Sequence, residues 1–223
     1  MKLPDNLRKK RGFLELKYGK YWVAWNPYHS KLAAYVLGKG NHWPFAKEST
    51  VLYLGAAEGN TVSFLSKICI EGRIVGVDIS PTAMAELIVL AEKEKNIIPF
   101  LGDAHFPRTY QPHANIPDIL YQDIAQRDQL DVFIRNYLFF KPKCGFLMIK
   151  SRSMAGKDED IFDTVEKKLK TEFNNVDIID IRIMNVSYLE HKASLYNIFK
   201  YSLSQLMKKK VKTIEQIKTQ MEM

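Results

Sequence analysis

From residue 50 onward, short apolar runs rich in β-branched and aromatic residues alternate with longer segments of helical apolar spacing. TVLYLGA (50–56) reads as a strand, and the spacing predicts a helix over about 60–70, closed near Gly72. RIVGVDI (73–79) is the next strand. Ser80 is then placed to cap a helix through PTAMAELIVLAEKEK, with Pro81 in its first turn. IIPFLGD (97–103) and DILYQDIA (118–125) are further strands, joined by a polar loop with several prolines and histidines. A helix over about 128–140 ends before Pro142, and FLMIKS (146–151) is an apolar strand. Residues 159–173 form a charged amphipathic helix, and VDIIDIRIM and ASLYNIFKY supply two late strands.

This alternation implies βαβ units and a doubly wound, mostly parallel α/β sheet of Rossmann-like type. Right-handed crossovers gather the strand C-termini on one edge, and ligands bind outside that edge. Gly55, Asp78, Asp103, Asp123 and Lys150 all fall at predicted strand C-termini. The expected organisation is a short basic N-terminal segment over 1–48 packed on a catalytic domain over 49–201. A basic helical extension follows over 202–223, where Leu203, Met207, Ile214, Ile217 and Met221 fall roughly on one helical face.

Composition adds limits. The 223 residues are 46% apolar and 12% aromatic, enough to bury a core. No apolar run approaches membrane-spanning length, and MKLPDNLRKKRGF is too charged for a signal peptide, so an intracellular protein is expected. Cys69 and Cys144 have no metal-ligand spacing and read as buried small residues. Charge matters more once located. Residues 1–20 carry a net +5 and residues 200–223 a net +4, leaving 21–199 at −1. Cationic ends suit a polyanion such as RNA, or serve as solubilising tails.

In VLYLGAAEGN, Gly55 and Gly59 lie between a strand and a helix, where glycine allows a tight turn and close approach to a ligand. Two glycines there can also serve packing alone, and their spacing is not the full dinucleotide fingerprint. Asp78 lies 23 residues beyond Gly55, where a carboxylate can accept from vicinal ribose hydroxyls. Asp103 can accept from an adenine amino group. The set points to an adenosine-containing ligand and leaves NAD(H) and S-adenosyl-L-methionine both open. The chain lacks a GKS or GKT phosphate loop and the GxG spacing expected for pyrophosphate, so the phosphate-free cofactor fits better.

The segments VLYLGAAEGNTVSFLS, NIIPFLGDAHFP, DILYQDIAQRDQ and WNPYHSKLAA together resemble fibrillarin, the methyltransferase subunit of box C/D ribonucleoproteins of archaea and eukaryotes. The resemblance covers about residues 21–201. It implies an S-adenosyl-L-methionine-dependent RNA ribose 2′-O-methyltransferase, directed by guide RNA to rRNA, with tRNA as a further substrate. Asn60 and Thr61 would lie at the methionine end of the cofactor, with Gly55 and Ala56 in the glycine turn. Asp78 and Ile79 would hold the ribose, and Asp103 and Ala104 the adenine. Asp123, Ile124, Ala125 and Gln126 would close the pocket. The implied catalytic set is Lys31, Asp123, Lys150 and His191, with either Lys150 or His191 as proton acceptor. No metal is expected, and His29, His42, His105 and His113 fall outside the set.

By the same resemblance the partners are a box C/D guide RNA, a Nop-type scaffold protein and a kink-turn-binding protein, with no membrane. The location would be the cytoplasm of an archaeon or the nucleolus of a eukaryote. Two alternatives stand beside this reading: a stand-alone RNA 2′-O-methyltransferase, and a non-catalytic structural subunit of the particle. The sequence departs from the family pattern in several places. Asn60 follows Gly59 where threonine is common, Asp78-Ile79 replaces Glu-Phe, His29 replaces an arginine, and Glu190 precedes His191 in place of aspartate. The usual longer N-terminal domain or Gly/Arg-rich arm is replaced by the short basic segment.

Overall fold

The computed structural model describes residues 3–38, 40, 42–154, 158–173, 176–186 and 191–200, with backbone alone for 152, 158–160, 176–186 and 191–200. The expected C-terminal helix over 202–223 lies outside the described residues.

Seven strands form one sheet in the order β6-β5-β4-β7-β8-β10-β9. The parallel part comprises β4 (Thr50–Leu54), β5 (Arg73–Asp78), β6 (Ile97–Leu101), β7 (Ile119–Gln122) and β8 (Cys144–Lys150). The last two strands, β9 (Val176–Val186) and β10 (His191–Lys200), run antiparallel, with β10 between β8 and β9. Alternation along each parallel strand feeds two cores, as a sheet covered on both faces requires. Val51, Tyr53, Ile74, Tyr121 and Phe146 pack with α2 (Asn60–Ile68) and α3 (Pro81–Lys93) on one face. Leu52, Leu54, Val75, Leu120 and Leu147 pack with α4 (Pro107–Ala114), α5 (Gln129–Phe140) and α6 (Asp158–Glu172) on the other. Pro99 is tolerated in β6 because that strand is an edge.

Local signals explain most of these elements. Ser80 Oγ accepts from the Ala83 backbone N–H at 3.3 Å and Pro81 opens α3, as its sequence predicts. Helix α4 replaces the expected polar loop. Pro107 is favourable at its start, and Tyr110 and Ala114 bury one face, although Pro112 withholds an N–H from the helical ladder.

The basic N-terminal segment contains a three-stranded antiparallel sheet, β1 (Leu7–Lys10), β2 (Phe13–Tyr18) and β3 (Tyr21–Trp25). Arg11 and Gly12, at φ +49° and +77°, make the two-residue turn that suits hairpin twist. Leu7, Leu14, Leu16 and Trp25 are buried, whereas Lys10, Phe13 and Lys17 face outward. The short strands and their cationic outer face obscure that alternation in the sequence. Trp25 stacks on Phe64 of α2 with centroids 4.7 Å apart, tying this sheet to the larger one. Replacing Trp25 with Ala costs about 3–5 kcal/mol, as is usual for a buried aromatic. Helix α1 (Lys31–Leu37) follows, with Ser30 as its N-cap.

Candidate functional site

The order of strands reverses between β4 and β7, whose following helices α2 and α5 cover opposite faces. That divergence opens a crevice at the strand C-termini. Gly55 turns the chain there with φ +80°, and its N–H donates to the Val77 carbonyl at 2.9 Å. A Cβ at Gly55 would lie 2.7 Å from the Asp123 carbonyl oxygen, so only glycine fits. Ala56 is buried behind the turn. Gly59 caps α2 without a side chain, leaving exposed Asn60 first in the helix. Thr61 is buried, its Oγ1 2.9 Å from Ser30 Oγ.

Asp78 does structural work in this crevice. Its Oδ2 accepts from the Ala57 N–H at 2.8 Å and its Oδ1 from the Ser80 N–H at 2.9 Å, bracing the glycine turn and the start of α3. Each oxygen retains a second lone pair for a ribose hydroxyl. Ile79 beside it is exposed, an apolar surface at the crevice rim. Asp103 and buried Ala104 follow β6. Asp103 Oδ1 accepts from the His105 N–H at 2.9 Å and lies 2.6 Å from His105 Nδ1. Its Oδ2 has no hydrogen-bond partner among the described residues. His105 Nε2 in turn lies 2.7 Å from Asp128 Oδ2.

At the other end of the crevice, Lys31, Asp123 and Lys150 converge from three elements. Lys31 opens α1, Asp123 follows β7 and Lys150 ends β8. Lys31 Nζ donates to Asp123 Oδ2 at 2.8 Å, and Lys150 Nζ lies 3.0 Å from Oδ1 while donating to the Asp123 carbonyl at 3.2 Å. Burial alone would raise the Asp123 carboxyl, but the two ammonium groups outweigh it and hold it below the ordinary carboxylate range. Asp123 Oδ1 is buried, with the Lys150 ammonium 3.0 Å away. Burial, and secondly the charge of Asp123, push the Tyr53 phenol well up and keep it neutral beneath the cluster.

Sequence reasoning missed the residue that aligns this cluster. Gln129, fully buried, donates to the Lys150 carbonyl at 3.1 Å and accepts from the Lys150 N–H at 3.0 Å. Gln122 Nε2 donates to the Gln129 carbonyl at 2.6 Å, joining the ends of β7 and β8 to the start of α5. The DQ pair after the DIAQ segment was the available signal. His105 is the second omission: a lone histidine between two acids distant in sequence shows nothing until the chain folds. In the 123–126 loop, Ile124 is half-buried, Ala125 exposed, and Gln126 Oε1 buried without a partner. His191 begins β10, two residues before Ala193, the register partner of Lys150. It therefore belongs to the same sheet end, and its side chain lies outside the described set.

A turn that excludes a Cβ, together with Asp103 and Gln126 oxygens that have no partner among the described residues, suits a polar ligand. The two buried thiols stand elsewhere; burial pushes Cys69 up to about 12. A cavity of about 750 Å³ opens at the opposite sheet end, beside Lys17, Lys67, Arg73 and Lys95, away from these groups. Among the described residues no cluster of three or more His, Cys, Asp or Glu side chains is placed to hold a metal ion. No described helix is long and apolar enough to cross a membrane.

A doubly wound sheet with an antiparallel end and a glycine turn at its switch point defines the Rossmann-like methyltransferase class of fold. The fibrillarin family model matches residues 11–195, and the chain belongs to that family. A fibrillarin-like rRNA/tRNA 2′-O-methyltransferase of Picrophilus torridus is 39% identical over 74% of this chain and 79% of its own length. Among solved structures, a fibrillarin/Nop5p complex gives a TM-score of 0.79 at 31% identity, covering 90% of this chain and 100% of that one. Aeropyrum pernix fibrillarin with natively bound S-adenosyl-L-methionine gives 0.71 at 29% identity, covering 86% and 84%.

Proposed function

We propose that the chain is an S-adenosyl-L-methionine-dependent RNA ribose 2′-O-methyltransferase, acting on rRNA and tRNA under guide-RNA direction in a box C/D particle. The observation that carries the reading is the Lys31–Asp123–Lys150 cluster at the switch point, where two ammonium groups hold one carboxylate. When bound, S-adenosyl-L-methionine supplies an electrophilic methyl group. Asp78 and Ile79 receive its ribose, Asp103 and Ala104 its adenine, Asn60 and Thr61 its methionine end, and Ile124 to Gln126 cover it.

The 2′-hydroxyl would donate to a remaining lone pair of Asp123 Oδ1, which would orient its oxygen toward the methyl group. The Lys31 and Lys150 ammonium groups stabilise negative charge on the oxygen as its proton loosens. As the O–C bond formed and the methyl–sulfur bond broke, leaving a neutral thioether, the proton on the methylated oxygen would become far more acidic than a carboxylic acid. Even a carboxylate held below its ordinary range then accepts it and passes it to solvent. His191 completes the implied set at the same sheet end.

A Nop-type scaffold, a kink-turn-binding protein and guide RNA deliver the substrate, consistent with a catalytic region whose net charge over 21–199 is −1. We assign an archaeal, cytoplasmic setting. The test is transfer of labelled methyl groups to a guide-matched RNA by the chain alone and with reconstituted partners. Activity only in the assembly is expected. Activity of the isolated chain would favour a stand-alone enzyme, and none in either case would overturn the catalytic reading.

A further inference from the structure

The loops after β6 and β7 meet through one side chain, and the contact has an unusual charge pattern. His105 Nδ1 lies 2.6 Å from Asp103 Oδ1 and Nε2 lies 2.7 Å from Asp128 Oδ2. An ionised carboxylate only accepts, so with both aspartates ionised the two contacts are satisfied together only by the imidazolium, which carries an N–H on each ring nitrogen. Asp128 is the N-cap of α5, yet its side chain makes no cap hydrogen bond; its carboxylate is directed to His105 instead. Capping normally stabilises a helix by about 1 kcal/mol, so the diversion has a use elsewhere.

The bridge joins Asp103, proposed above to meet the adenine, to the end of the 123–128 loop, proposed above to cover the cofactor. With Oδ1 of Asp103 occupied by the N–H and ring of His105, Oδ2 has no hydrogen-bond partner among the described residues. We infer that His105 is a positioning residue for the adenosine end of the cofactor: protonated, it fixes Asp103 and ties the covering loop to it. A neutral imidazole has one N–H, so loss of the proton leaves a lone pair facing one of the two carboxylates, and that side opens.

The charged groups facing the ring are Asp103 from the β6–α4 loop, and Asp128 and Arg135 from α5. The Arg135 guanidinium donates to the His105 carbonyl at 3.1 Å. The hydrogen bond to Asp128 first, and that to Asp103 second, raise the imidazole above its ordinary value, with burial opposing them. A raised value means that the bridge, present where the ring is protonated and both aspartates are ionised, is lost as pH rises through that value. Cofactor affinity therefore falls on the alkaline side. Each unit by which ligand raises the His105 pKa corresponds to about a tenfold fall in affinity across that interval.

This inference rests on the proposed placement of adenine at Asp103, and the experiment separates the two. The probe is 5′-methylthioadenosine, which lacks the titrating amino group of the full cofactor. Its affinity for the full chain is measured by calorimetry from about pH 6 to 9, and the His105 ring is titrated by NMR. The expected result is His105 titrating above its ordinary value and affinity falling severalfold through the same midpoint. His105→Ala should bind weakly and without that pH step. His105→Arg, which keeps its charge, should also lack the step and retain more affinity than Ala. In methyl transfer by the assembled particle, His105→Ala should raise KM for the cofactor and leave kcat nearly unchanged. Binding that ignores pH while His105 titrates in range overturns the bridge alone. Absence of binding at every pH overturns the adenosine site and the bridge with it.

Discussion

Two charge clusters occupy the same sheet edge on inverse plans. Around Asp123, two cations hold one anion; around His105, two carboxylates hold one imidazole. The first is enclosed, its side chains 14–28% exposed, whereas Asp128 in the second is 50% exposed. Enclosure strengthens each interaction and excludes competing water, which suits a fixed electrostatic field at a reacting oxygen. Exposure and an imidazole suit an adjustable contact, because histidine is the side chain that changes charge between about pH 5 and 8. Fold position supplies both clusters; burial and the identity of the central group separate their tasks.

The largest effect should come from Asp123. Asp123→Ala strands two ammonium groups and removes the hydroxyl acceptor, so methyl transfer in the assembled particle should fall about 10³-fold. Asp123→Asn keeps the shape and should still lose most of the rate; full activity would break the contrast at its centre. Lys150→Met should lower kcat about 10²-fold with cofactor affinity little changed. A matching loss of affinity would show that the two ends are not separable.

Acid unfolding sharpens the contrast from the stability side. The folded Asp123 carboxyl lies below its ordinary value, so its contribution is complete above about pH 4 and is lost as pH falls through the lowered value. Urea midpoints should drop more steeply with acid in the native chain than in Asp123→Asn. The smallest effect is expected for Asp128→Asn. It should bring the His105 titration back toward the ordinary value and weaken cofactor binding about threefold near neutrality, leaving kcat in place.

Legibility in the sequence followed the range of each interaction. The β4–β8 strands and α2, α3, α5 and α6 were readable because their periodicity and caps are local, and Gly55, Asp78, Asp103, Asp123 and Lys150 fell where strands end. Helix α4 was not, since prolines mask a helix held by the burial of Tyr110 and Ala114. The first sheet was hidden by Lys and Arg on its outer face. Convergence of Lys31 on Asp123 spans 92 positions and entered only through family resemblance; periodicity carries no trace of it. The paired hydrogen bonds of Gln129 and the bridge of His105 link loops whose proximity depends on strand order, and no pattern along the chain reports that order in advance.

The position of β10 has a consequence for synthesis. Strand β9 leaves the ribosome before β10, yet β10 is the one that pairs with β8. The outer edge of Cys144–Lys150 thus waits, unpaired, while about 50 further residues are added, roughly 3–10 s at ordinary elongation rates. For that interval the nascent protein carries an open strand edge able to pair with a neighbour, and the strand bearing Lys150 lacks its flank. The strand that bears Lys150 is therefore flanked on both sides only after β10 has been made.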